Sequence, residues 1–265
     1  MANNSPIGVF DSGVGGLTVA KAMANLLPRE SFIYFGDTAH LPYGDKSPEA
    51  ILQYSLEIGN FLVNQGAKAL VIACNTASAI AYDELVKNLG HKVPIFNVID
   101  PVVEATAVHG HKNVGVIGTR ATVLSGAYEK RLLATNKDMQ VSSMATPLLV
   151  PVIEEGLAKS KISSDVLAYY LNKPQLKEIS ALILGCTHYP ILHTQIVKYL
   201  KGKVEVIDSP LIVAETISQV LDANNLLADR RFGVHKFYVS DYTETFEQIA
   251  RQFFGNDLTL EEFKI

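Results

Sequence analysis

The chain has 265 residues, 48% of them apolar and 19% charged, an ordinary globular composition that excludes disordered and fibrous architectures. Its 23 Lys and Arg against 27 Asp and Glu leave a net charge of −4, so nothing recommends nucleic acid or an anionic membrane as a partner. The opening Met1-Ala2-Asn3-Asn4-Ser5-Pro6 has neither the basic nor the apolar region of a signal peptide, no apolar run approaches the ~18 residues of a membrane span, and a cytoplasmic protein is expected.

Short runs rich in Val, Ile and Leu predict strands at Ile7–Phe10, Phe32–Phe35, Ala69–Ala73, Ile95–Val98, Val114–Ile117, Ala181–Leu184, Val204–Ile207 and Lys236–Val239. Helix-like periodic segments, such as Ala50–Asn64, Ser78–Leu89 and Ile191–Leu200, lie between them. Continuous apolar strands separated by helices predict an α/β fold with parallel sheets covered on both faces. The strands also repeat. Ile7-Gly8-Val9-Phe10-Asp11-Ser12 reads like Val114-Gly115-Val116-Ile117-Gly118-Thr119, and Ala69-Leu70-Val71-Ile72-Ala73-Cys74 like Ala181-Leu182-Ile183-Leu184-Gly185-Cys186. Val98-Ile99-Asp100 matches Val206-Ile207-Asp208, and the three offsets are 107, 112 and 108 residues. Matches at nearly one spacing predict two similar α/β halves facing each other across a cleft. The segment after Asp208 is expected to pack back against the first half.

In open α/β sheets, ligands bind at the carboxyl ends of the strands. Asp11-Ser12, Cys74-Asn75-Thr76 and Cys186-Thr187-His188 all fall there, and Thr119 occupies the repeat position of Ser12. A single cysteine is ordinarily an inert core residue. Two at equivalent repeat positions, each ahead of residues that suit a helix start, point to chemistry, and a reducing cytosol argues against a disulfide. Zinc needs four ligands, or three and a water; Cys74, Cys186 and His188 supply three, without the Cys-x-x-Cys or His-x-x-x-His spacing. One nucleophilic thiol would leave the other unexplained. Proton transfer explains both, because inverting a carbon centre requires a base on one face and an acid on the other. Holding a thiol of pKa ~8.5 as thiolate at pH 7 costs about 2 kcal/mol. A helix N-terminus returns ~0.3–1 kcal/mol, up to ~2 when partly buried, so it is expected to cover much of that cost. Asp11 is either a helix N-cap or a group that assists Cys74 or holds an ammonium. His188 is either a core histidine or a proton shuttle for Cys186.

Asp11-Ser12-Gly13-Val14-Gly15-Gly16-Leu17-Thr18 has Thr18 where a nucleotide loop has its third glycine, so it reads as a tight strand-to-helix turn. The polar break from Gly36 to Gly44 is a surface loop or, beside a cleft, a lid that brings Tyr43 and Gly44 onto a ligand. Little Lys or Arg falls in any of these segments, so a carboxylate ligand would be held by hydroxyls, amides and helix ends.

Four blocks carry a resemblance: Phe10 to Val19, Gly36 to Gly44, Ala73-Cys74-Asn75-Thr76-Ala77-Ser78 and Gly185-Cys186-Thr187-His188-Tyr189-Pro190. They closely resemble the bacterial glutamate racemases of the aspartate/glutamate racemase family, and the likeness covers almost the whole chain. The resemblance implies an isomerase without cofactor or metal that interconverts L- and D-glutamate, supplying the D-isomer for peptidoglycan. It implies Cys74 and Cys186 as the acid–base pair, with Asp11 assisting Cys74 and His188 assisting Cys186. Glu154, in Val150-Pro151-Val152-Ile153-Glu154-Glu155-Gly156, matches a family acidic residue near the second thiol. Ser12, Tyr43, Gly44, Asn75, Thr76 and Thr187, with Asp11 and His188, would bind the substrate. The family architecture is two three-layer α/β domains related by a pseudo-twofold, here residues 1–98 with 208–265 and residues 99–207, with the site between them. A homodimer is expected. A racemase of another acidic amino acid such as aspartate, a non-catalytic two-domain amino-acid-binding module and a zinc hydrolase are the alternatives.

Overall fold

The computed structural model describes residues 3–231, 233–255 and 258–264. The chain opens with β1 (Ile7–Asp11), α1 (Leu17–Leu26) and β2 (Phe32–Gly36), and a loop with short 3-10 turns at Thr38–His40 and Tyr43–Asp45 leads into α2 (Pro48–Asn64). There follow β3 (Ala69–Ile72), α3 (Asn75–Leu89), β4 (Ile95–Asn97) and α4 (Asp100–Val108). The second half runs β5 (Asn113–Gly118), α5 (Arg120–Ser125), α6 (Ala127–Thr135), β6 (Gln140–Ala145), α7 (Leu149–Glu154), α8 (Lys161–Leu171) and β7 (Ala181–Gly185). It ends with a 3-10 turn at Tyr189–Leu192, α9 (His193–Tyr199) and β8 (Glu205–Ile207). α10 (Ser209–Ala223), β9 (His235–Val239), α11 (Glu244–Phe254) and β10 (Leu258–Glu262) complete the chain.

Among the described residues the strands form two sheets, ordered β10-β9-β2-β1-β3-β4 and β6-β5-β7-β8, and every pairing is parallel. The order β2-β1-β3-β4 recurs as β6-β5-β7-β8, which is the sequence repeat in three dimensions. β9 and β10 extend the first sheet, so the C-terminal segment does return to the first half. The α/β class and the two similar parallel sheets are as the sequence predicts.

Alternation along the strands separates the core into layers. Ile7 and Val9 of β1 face a core shared with α1, α4 and α10, whereas Phe10 faces the opposite layer, under α2 and α3. Leu182 and Leu184 of β7 pack with α7, α8 and α9 on the outer face of the second sheet. α10 packs on both α1 and α4 and so sits at the seam between the halves. Helix starts follow local chemistry: Ser47 caps α2 ahead of Pro48, and Thr119 caps α5 by accepting the Thr122 amide.

Two strands depart from the sequence reading. β6 is largely polar and β10 mixes Leu with Thr and Glu; both are edge strands, where one side needs no burial and no continuous apolar run develops. The segment read as one helix from Ile191 begins its α-helix at His193, after a 3-10 turn through Pro190. Among the described residues no helix is long and apolar enough to cross a membrane.

Candidate active site

β1 ends in Asp11, which is fully buried; its Oδ2 accepts the Gly13 amide at 3.2 Å and the Gly16 amide at 2.7 Å, pinning the turn into α1. The other oxygen, Oδ1, is buried and has no hydrogen-bond partner among the described residues. β3 delivers Cys74 to the N-cap of α3, where Sγ accepts the Ala77 amide at 3.5 Å and donates to Ser12 Oγ at 3.7 Å. The helix start does not cover the cost of ionisation. Burial, and next the charge of Asp11, push the Cys74 thiol far above its ordinary range, despite the opposing pull of the Ala77 amide and the Ser12 hydroxyl. In these surroundings Cys74 is a neutral thiol.

β7 delivers Cys186 to a different setting. No helix begins at the sulfur; the chain turns through Thr187 and His188 into the 3-10 turn. Cys186 Sγ lies 3.7 Å from His188 Nδ1, and His188 Nε2 lies 3.1 Å from Glu154 Oε1 at the end of α7. Burial pushes the imidazole down, but the hydrogen bonds to Cys186 and Glu154 outweigh it and lift His188 to about 10. Cys186, His188 and Glu154 thus form a continuous chain along which a proton can move to or from the sulfur.

Tyr43 and Gly44 come from the second 3-10 turn after β2. Tyr43 Oη donates to Asp37 Oδ2 at 2.6 Å, and Asp37 Oδ1 accepts Ser240 Oγ at 2.7 Å, just beyond β9. Burial and then the charge of Asp37 raise the Tyr43 phenol, which therefore stays protonated and donating. Across the seam, Thr76 Oγ1 meets Thr119 Oγ1 at 2.9 Å and Thr122 Oγ1 at 3.1 Å, and Tyr128 Oη of α6 donates to Asn75 Oδ1 at 2.7 Å. Gly15 faces Thr187 and His188 so closely that a Cβ there would stand 2.3 Å from Thr187 Oγ1 and 2.6 Å from His188 Nδ1.

Ser12, Tyr43, Gly44, Cys74, Asn75 and Thr76 from the first half, and Glu154, Cys186, Thr187 and His188 from the second, line one cavity of about 30 Å³. Of the residues singled out in the sequence, Asp11 alone stays behind the wall, one residue from Ser12. Among the described residues, no lysine or arginine lines the cavity. Among the described residues, the thiols and His188 do not gather as a metal-ligand group; the three donors that do are His109, His111 and Glu205, in the second half. Sequence reasoning missed Asp37, Ser240, Thr122 and Tyr128, which brace the lining residues from behind. Asp37 sits inside the Gly36 to Gly44 block and could have been found beside Tyr43; Ser240 and Tyr128 meet the site only through the fold.

A family model described as Asp/Glu/Hydantoin racemase matches residues 7–217. A glutamate racemase of Thermus thermophilus is 45% identical over 249 residues, covering 94% of this chain and 92% of that one. The crystal structure of the glutamate racemase from Francisella tularensis in complex with D-glutamate superposes with a TM-score of 0.91 at 38% identity, over 99% of this chain and 97% of that chain. The aspartate racemase of Picrophilus torridus, at 19% identity and a TM-score of 0.61 over 82% of this chain and 94% of that one, shares the fold alone. On this sequence and this fold, the chain belongs to the Asp/Glu/hydantoin racemase family.

Proposed function

We propose that the chain racemises glutamate with Cys74 and Cys186 as its two acid–base groups. One observation carries the reading: equivalent strand ends of two repeated sheets present their thiols to a single cavity. One sulfur takes the α-hydrogen as a proton and the other returns a proton to the opposite face. One proton leaves and one arrives, so the inversion balances without an oxidant or reductant. In the reverse direction the two thiols exchange roles.

The surroundings suggest how each thiol is served. Cys74 can pass its proton toward Asp11, whose unpaired Oδ1 is the free acceptor behind it, while the ammonium of the substrate offsets the new charge. Cys186 is served by His188, which Glu154 holds in place. Ser12, Tyr43, Gly44, Asn75, Thr76 and Thr187 would hold the carboxylates through hydroxyls and amides. Tyr128 occupies the acceptor side of Asn75, which leaves the donor side of that amide for an anion.

A cavity of about 30 Å³ has room for a water or two. A ligand of glutamate's size needs a pocket nearer ~300 Å³. The units 1–98 with 208–265 and 99–207 would therefore part to admit it and close again to exclude water, which strengthens the electrostatic stabilisation of the carbanion. The same reading makes the protein a cytoplasmic homodimer that supplies D-glutamate for peptidoglycan, and light scattering of the purified chain tests the dimer. The central test is solvent exchange. With either enantiomer in deuterated water, the protein should bring the ellipticity to zero and place deuterium on the α-carbon. Folded protein that does neither overturns the proposal; a parallel run with aspartate measures the selectivity.

A further inference from the structure

At the edge of the second sheet opposite the thiols, three side chains converge that the reaction does not use. We infer that His109, His111 and Glu205 form a binding site for a divalent transition-metal ion, with Zn²⁺ the best match. Their donor atoms all lie within 4.8 Å of one another. His111 Nε2 stands 2.9 Å from Glu205 Oε2, and His109 Nδ1 stands 3.5 Å from Glu205 Oε1. Zinc bonds of about 2.0–2.1 Å, at tetrahedral or octahedral angles, put neighbouring ligand atoms ~2.9–3.4 Å apart; the His111 spacing falls in that range, and the His109 spacing, to the other carboxylate oxygen, lies just beyond it. Two imidazoles and a carboxylate are a donor set that borderline metals such as zinc accept, with water completing the shell.

The backbone builds this convergence. Glu205 opens β8, and its amide bonds the Ser180 carbonyl at 3.0 Å, while the Ser180 amide bonds the Asn113 carbonyl at 2.8 Å. The starts of β8, β7 and β5 are thus held side by side. His109 closes α4, and Gly110, at φ +72°, turns the chain so that the imidazoles on either side of it reach the same carboxylate.

The contacts of His111 suit a ligand role. Ser180 Oγ donates to the Asn113 carbonyl at 3.1 Å and stands 3.2 Å from His111 Nδ1, which fixes the orientation of the ring. In that orientation His111 Nε2 faces the Glu205 carboxylate at 2.9 Å. At that distance the ring nitrogen and the carboxylate can share either a proton or a metal ion. A ligand histidine whose other ring nitrogen is oriented by a neighbouring hydrogen bond is the usual arrangement around a metal. Sequence reasoning weighed zinc only at the two thiols and His188, and passed over the His109-Gly110-His111 spacing.

The ion would tie the α4–β5 turn to β8, so its effect falls on stability rather than on racemisation. Isothermal titration with Zn²⁺ tests this in the full chain carrying Cys74→Ser and Cys186→Ser, where the active-site thiols cannot compete. One equivalent of Zn²⁺ is expected to bind and to raise Tm. Both effects should vanish in His111→Ala and in Glu205→Gln, while the same two substitutions in the wild-type chain leave racemisation intact. Ser180→Ala keeps all three ligands and should weaken binding by about 10- to 100-fold. Uptake that survives His111→Ala and Glu205→Gln, or no uptake by the intact cluster, overturns the site. Because none of these readouts depends on turnover, they stand apart from the test of the racemase reading.

Discussion

The two thiols hold the same place in a repeated fold and stand in unlike surroundings. Cys74 caps a helix of 15 residues and is flanked by a backbone amide, a serine hydroxyl and a buried carboxyl group. Cys186 caps nothing and leans on an imidazole that Glu154 supports. The strands of the repeat decide where each sulfur stands; the residues beyond the strand decide what surrounds it. A physical constraint limits how this difference can show. The enantiomers of glutamate have equal free energy, so kcat/KM must match in the two directions at any pH, however unlike the two sides are. The asymmetry can appear only in how kcat and KM divide, and in which group sets each limb of the pH profile.

The strongest way to break the comparison is to remove either sulfur. Cys74→Ser and Cys186→Ser should each lower kcat/KM by about 10²–10⁴-fold in both directions, the usual worth of a positioned acid or base. Circular dichroism should show the fold intact. A variant that keeps its activity would mean that its thiol is only a core residue. The next largest effect belongs to the contact between the halves at Gly15. Gly15→Ala puts a methyl group 2.3 Å from Thr187 Oγ1 and 2.6 Å from His188 Nδ1. Displacing reacting groups by about 1 Å can cost roughly 10²-fold, and that is the expected loss of kcat/KM. Urea unfolding should register the clash as well, by about 1–3 kcal/mol, because one apolar core runs through both halves and they cannot part freely to relieve it. Wild-type turnover in this variant would show that the working enzyme never closes this far.

Much of this was legible before any coordinates, and the omissions share a cause. Buried parallel strands announce themselves as continuous apolar runs, so the central strands and the repeat they carry could be read directly. β6 and β10 are edges, and their mixed composition gives no such signal. The lining residues were legible because they sit at strand ends or inside distinctive blocks. Their supports were not: Ser240 reaches Asp37, and Tyr128 reaches Asn75, across distances in sequence that no local pattern encodes. The thiol energetics were misjudged for a related reason. A helix start can be anticipated from residue types, whereas the desolvation that overrides it at Cys74 depends on how completely the folded chain buries the sulfur.

A smaller effect sharpens the contrast on the Cys186 side. Glu154 helps to hold His188 at about 10, against an ordinary value of 6.5, so Glu154→Gln should bring the imidazole back down. The alkaline limb of kcat/KM should then move to lower pH, with a loss of about 10-fold near its old position. The loss must be equal in the two directions, while kcat and KM divide differently. Stability carries the same sign: the raised imidazole contributes fully below about 6.5 and loses its contribution as pH rises through about 10. The variant should therefore gain less stability from neutral pH than the wild type and show a weaker loss toward alkaline pH. An alkaline limb that does not move would detach Glu154 from the proton path.

The smallest predicted effect concerns a bond that crosses between the halves. Tyr128 Oη lies on α6 and donates at 2.7 Å to Asn75 Oδ1 at the start of α3, and both side chains are buried. If the halves part to admit substrate, this bond breaks in the open form and water takes its place, so it favours closure more than folding. Tyr128→Phe then removes about 1 kcal/mol from the closed form, a factor of roughly five in the open–closed balance. KM should rise by about that factor in both directions with kcat little changed, and the urea midpoint should hardly move. If the halves instead stay locked together, the orphaned Asn75 carbonyl remains buried, and the penalty of about 1–3 kcal/mol appears in unfolding instead of in KM. The division of one deleted hydroxyl between KM and the urea midpoint therefore measures whether the seam opens during turnover.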